Sequence, residues 1–247
     1  VAGAKLAGDA DLTPMMAAVQ KLGALAKHAD DIHDGSGAQG YRDRADQLLS
    51  ALADRAKDDA ALSRTLGAAY LGAGDPAKAE SFLQRAVELA PEDVDAHAQL
   101  AVALEREGKT DDALAQLDAA QKLDPSRADI GLEKARILED AKRLPEAEAA
   151  YLTMLAAKDV TVQARVRAGR FLVKTTDHVR DAVAQADPIL AAEPDNPAGH
   201  FLRGVGDALD QKLDLARKEL TSAVDGDPVH GEVERRELDR RQVGDPE

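Results

Sequence analysis

Residues 60–93 read AALSRTLGAAYLGAGDPAKAESFLQRAVELAPED, and they decide the fold. Small and apolar residues recur at helical spacing from Ala60. Gly74-Asp75-Pro76 interrupts them with a turn signal, a second helical pattern follows, and Pro91 stops it. Most of the remaining chain is this unit written again. Gly67, Ala101, Ala135, Gly169 and Gly204 stand 34, 34, 34 and 35 residues apart. Ala79, Ala113, Ala147, Ala182 and Ala216 step by 34, 34, 35 and 34. Pro91, Pro125, Asp159, Pro194 and Pro228 keep the same register. A fixed period of this length marks a repeat array.

Leu66, Gly67 and Tyr70, followed by Ala79, Leu83, Ala86 and Pro91, make this unit similar to the tetratricopeptide repeat. That family's unit is a helix–turn–helix of 34 residues. The resemblance covers residues 60–228 in five units. It departs at Asp159, which replaces a proline, at one extra residue in the fourth unit, and at Asp207, which stands where Tyr70 stands in the first. The expected fold is all-α, a right-handed superhelical solenoid of about thirteen helices. Small residues at fixed helical positions let two backbones approach closely, and neighbouring pairs then bury each other's apolar faces.

The flanks are read around this core. Residues 1–12 form a tail. Residues 13–59 form a degenerate first repeat, opened by Thr13-Pro14. Asp34 to Gly40 holds three glycines and reads as a long, mobile turn, so the second helix is expected from Tyr41 to Lys57. Residues 229–243 form a polar C-terminal capping helix, and 244–247 a tail. Asp187-Pro188 lies inside the second helix of the fourth unit, where proline removes a backbone hydrogen bond and predicts a kink or break.

Composition narrows the function. The 247 residues carry a formal net charge of −14, which argues against nonspecific nucleic-acid binding and against anionic membrane surfaces. No stretch approaches a membrane span. The absence of cysteine excludes disulfides, thiol catalysis and thiolate metal sites. The chain starts at Val1 with no signal segment, compatible with a piece of a longer protein. Localisation stays open, the cytoplasm being favoured over the periplasm.

No catalytic constellation or phosphate-binding loop stands out, so the reading is a non-enzyme without cofactor or metal. His28 and His33 lie beside acidic residues, but five residues turn a helix by about 140°, so they do not share a face. His97 and His200 occupy equivalent positions and read as packing or surface residues.

The resemblance implies a concave groove lined by the first helix of each unit. Arg136, Arg167 and Arg170, with Glu133 beside them, fall in its middle. Phe201, Leu202 and Val205 fall at its C-terminal end. Guanidinium forks bind carboxylates in bidentate fashion. The expected function is therefore a protein-interaction scaffold or adaptor. Its partner is a peptide or protein segment with acidic or C-terminal carboxylates, and Phe201 is the apolar anchor. The competing reading is that the arginines pair with Glu133, Glu139 and Asp140 and hold the groove together. One family subtype grips chaperone tails through lysine and asparagine; Ala68 and Val102 stand at those asparagine positions here and disfavour that partner. Two other readings are a docking region of a larger enzyme or assembly complex, and a self-assembling homo-oligomer.

Overall fold

Asp59 opens the first clear repeat by accepting a hydrogen bond from the backbone N–H of Leu62 at 2.9 Å. Helix α4 (Ala60–Ala73) follows in the computed structural model, which describes residues 13–50, 52–175 and 177–226. Gly74 ends it at φ 79°, and Asp75 caps α5 (Pro76–Leu89) with Pro76 in the first turn. Leu66, Leu83 and Ala86 meet between the two helices and are buried. A Cβ on Gly67 would lie 2.4 Å from Leu83 Cγ, so the small residue of the period is where the two helices close.

The same hairpin recurs. The described helices before it are α1 (Thr13–Asp31), α2 (Gly35–Ser50) and the short α3 (Ala53–Ala56). After it come α6 (Val94–Arg106), α7 (Thr110–Leu123), α8 (Ala128–Asp140), α9 (Leu144–Leu155), α10 (Val162–Thr175), α11 (Val179–Val183), α12 (Ala186–Ala192), α13 (Pro197–Leu209) and α14 (Leu213–Gly226). All described secondary structure is helical, as expected. The described helices exceed the expected number because α3 is separate and the second helix of the fourth repeat is split. The expected helix at 229–243 lies outside the described residues, as do the two tails. Backbone packing divides the chain into two compact segments, Val1–Asp124 and Pro125–Glu247.

One turn joins the two helices of most hairpins. His33, Gly74, Gly108, Lys142 and Gln211 each take a positive φ, between 61° and 79°. The next backbone N–H then reaches back five residues: Asp34 to Ala29, Asp75 to Tyr70, Lys109 to Leu104, Arg143 to Leu138, and Lys212 to Asp207, all at 2.8–3.0 Å. This closure satisfies carbonyls that the helix end would otherwise leave bare.

That turn corrects the expectation of a long mobile loop from Asp34 to Gly40. The chain turns at Ile32–Asp34 and is helical from Gly35. Asp34 caps α2 by accepting from Gly37 N at 3.0 Å, and Ala38 is fully buried. The glycines weaken the helix by about 1 kcal/mol each at most, and the cap with the buried Ala38, Ala45 and Leu49 stripe outweighs them. The second helix also ends earlier than expected, at Ser50 rather than Lys57.

Around Pro188 the expected break is present. Gln185 N bonds Ala182 O, the helix restarts at Ala186, and Pro188 falls in the first turn of α12, where its missing N–H costs nothing.

The two equivalent histidines act as polar staples within their hairpins. His97 is buried, with Nδ1 at 2.7 Å from Gln116 and Nε2 at 3.0 Å from the Pro91 carbonyl. His200 Nδ1 lies 2.6 Å from Glu219.

Candidate functional site

Helix α10 is built for two environments. Ala164, Ala168 and Leu172 point inward and are buried. Val166, Arg167 and Arg170 lie one turn apart on a more open face, and Thr161 caps the helix by accepting from Ala164 N at 3.2 Å. Beside this face lies a cavity of about 620 Å³. Val162, Val166 and Phe171 form its apolar wall, and Arg167, Arg170 and Lys174 its basic one. Glu139 from α8 and the Glu193–Asn196 turn before α13 complete the rim. Asn196 fixes that turn by accepting from Ala198 N at 3.0 Å and Gly199 N at 3.2 Å.

Arg167 is held from below. Its Nε donates to the Tyr151 hydroxyl at 2.8 Å and its Nη2 to Glu139 Oε2 at 3.0 Å. Tyr151 donates its own proton to Glu139 Oε2 at 2.8 Å. Burial, and then the bond to Glu139, push the Tyr151 hydroxyl far above the ordinary phenol range, so it stays protonated. Burial opposes the charge on Arg167, but Tyr151 and Glu139 outweigh it and hold the guanidinium above its ordinary value.

The expected site residues separate into three groups. Arg167 and Arg170 come together at the cavity. Arg136 and Glu133 do not line it: Arg136 forks onto Glu133 at 3.1 and 2.7 Å and reaches Asp140 at 3.1 Å, all along α8. For Arg136 the pairing reading therefore describes the contacts made. Phe201, Leu202 and Val205 are corrected outright as surface anchors, being 2%, 0% and 3% exposed. Leu202 points back toward the preceding repeat. Leu202 fills the space over Gly169, where a Cβ would lie 2.6 Å from its Cδ1, just as Arg167 in the same row reaches back to Glu139.

Glu139 enters as the partner of Arg167 that the pairing reading named, whereas Tyr151 was not expected at the site. A signal for it existed. Tyr151 falls one period after Leu117 and two after Leu83, both fully buried, and a phenol at such a position demands a polar partner. Among the described residues, no group of three or more His, Asp or Glu side chains is placed to hold a metal ion. Among them also, no helix is long and apolar enough to cross a membrane.

Stacked helical hairpins on a 34-residue period, with a mixed basic and apolar cavity beside a first helix, define a repeat protein of the kind that binds other proteins. Tetratricopeptide-repeat family models match residues 70–125, and residues 37–94 and 98–159. The chain belongs to the tetratricopeptide-repeat proteins, whose fold is that of a protein–protein interaction scaffold. No curated protein sequence matches it.

Solved structures share the fold. YrrB, described as a TPR protein with an unusual peptide-binding site, is 16% identical over 74% of this chain and 93% of its own, with a TM-score of 0.58. MamA from Desulfovibrio magneticus RS-1 is 19% identical over 69% and 96%, with a TM-score of 0.53. PilF from Pseudomonas aeruginosa is 13% identical over 92% and 99%, with a TM-score of 0.56. At these identities the likeness is one of fold.

Proposed function

We propose that this protein is a non-catalytic scaffold that takes an extended segment of a partner protein in the cavity beside α10. Arg167 and Arg170, with Lys174 at the end of the same helix, hold its carboxylates. Val162 and Val166 receive an apolar side chain, in place of Phe201. The observation that carries this reading is the cavity itself, where one helix supplies three cations and an apolar wall. An open cavity that sets charged anchors beside an apolar wall suits an extended peptide, which offers both kinds of side chain. The peptide-binding site named for YrrB supports the reading by analogy of fold. The proposal keeps five repeats over residues 60–228, a degenerate repeat before them, and a terminal cap at 229–243.

Acidic peptides selected by display against the whole chain supply a probe, and calorimetry measures its affinity. Loss of one charge-assisted contact costs roughly 1.5–3 kcal/mol, about ten- to a hundredfold in affinity. Arg170→Ala and Arg167→Ala are expected to weaken binding by that much, and added salt to weaken the parent complex. Arg217→Ala, on the exposed face of α14, is the control and should bind as the parent does. Unchanged affinity in both cavity variants would show that the arginines only hold the fold.

A further inference from the structure

The basic wall of the cavity depends on a side chain that reaches no ligand itself. Tyr151 is fully buried on α9, with its ring tilted against Phe171 at 4.9 Å. Its one proton goes to Glu139, so its oxygen is left to accept from Arg167 Nε. The direction of both bonds is therefore fixed. Together, Tyr151 and Glu139 occupy the side edge of the guanidinium, formed by Nε and one hydrogen of Nη2. The end edge, formed by Nη1 and the second hydrogen of Nη2, has no protein partner among the described residues, and Arg167 lines the cavity. A carboxylate binds that end edge as readily as the side edge.

We infer that Tyr151 is a positioning residue, which fixes Arg167 so that its end edge faces the cavity, and that a ligand carboxylate docks there without displacing Glu139. This rests on the cavity being the partner site. It also names the ligand's charge class. Three cations against the two carboxylates Glu139 and Glu193 leave the lining with one net positive charge. That suits a monoanionic carboxylate, and Glu139 repels a phosphate dianion.

The test uses the full chain labelled with ¹⁵N and follows the Arg167 Nε–H signal, assigned through Arg167→Lys. Its exchange with water should be slow in the parent and roughly tenfold faster in Tyr151→Phe, which removes a charge-assisted bond. N-acetylglycine is then the carboxylate probe and inorganic phosphate the dianion. The parent Nη signals should move with N-acetylglycine and not with phosphate. In Tyr151→Phe the N-acetylglycine affinity should fall several-fold, with the melting curve still cooperative. If Tyr151→Phe does not fold, Glu139→Gln gives the same exchange readout, because it keeps an acceptor and loses the charge. Equal exchange rates, or equal probe affinity, would overturn the positioning role. If exchange responds to Tyr151→Phe but N-acetylglycine moves no cavity signal, the anchor is real and the cavity is not the partner site, so the docking edge falls with it. A phosphate response equal to that of N-acetylglycine would overturn the charge class.

Discussion

A Cβ placed on Gly23 would lie 1.7 Å from the carbonyl oxygen of Gly72, so α1 and α4 meet backbone to backbone. A carbonyl cannot rotate aside as a leucine can. Gly23→Ala should therefore destabilise the protein by about 1–3 kcal/mol, despite the better helix propensity of alanine. Gly72→Ala has open space before it and should stabilise by about 0.5–1 kcal/mol. Urea unfolding of both variants reads the contrast directly. A Gly23→Ala variant as stable as the parent would mean the helices do not touch there.

Ala101 tests the same principle inside the regular repeats. It is fully buried on α6, one period after Gly67. Ala101→Leu should overpack that contact and cost about 1–3 kcal/mol. A melting temperature equal to the parent's would refute this register of the period.

Lys142 and Gln211 occupy the left-handed turn position that Gly74 and Gly108 fill elsewhere. A side chain there costs roughly 1–2 kcal/mol in backbone strain. Glycine relieves it but loses entropy, so Lys142→Gly should gain about 0.5–1 kcal/mol. The gain should appear as a higher urea midpoint with an unchanged slope. A loss of stability would mean the Lys142 side chain holds the turn.

His178 makes the fold sensitive to pH. The carboxylate of Asp181 at 2.7 Å, and then Glu148 at 3.2 Å, raise its pKa above the ordinary histidine value. A raised folded pKa means the contribution is complete below about pH 6.5, the unfolded value, and is lost as pH rises through the folded value. His178→Gln should flatten the stability profile across that window, and the imidazole signal should titrate above the ordinary range. A histidine titrating at or below its ordinary value would refute the pairing of His178 with Asp181 and Glu148.

What could be read in advance follows the chemistry of each position. Gly67, Gly169 and Gly204 announced close helix contacts because nothing but a small residue fits there, and a Cβ on each would overlap a leucine. The start of α2 could not be read from glycine content. Its helix depends on the Asp34 cap and on His33 closing the turn, and both signals are weak in a sequence. Arg167 and Arg170 were legible as a pair because they lie one helical turn apart. Phe201, Leu202 and Val205 were not legible as core, because a repeated position need not repeat its exposure. At the Arg167 position the chain reaches toward Glu139, whereas Leu202 at the matching place fills the space above Gly169.

The short turns carry a consequence for how the chain comes into being. Ties between neighbouring hairpins span 35 residues from Arg106 to Leu71, and 28 from Arg167 to Glu139. Native partners of this kind are close together along the chain, and such topologies order quickly. A hairpin emerging from the ribosome meets its neighbour within a few tens of residues of synthesis. Folding can thus keep pace with translation, each new pair docking on the one already made, and the apolar faces are exposed to aggregation for only a short time.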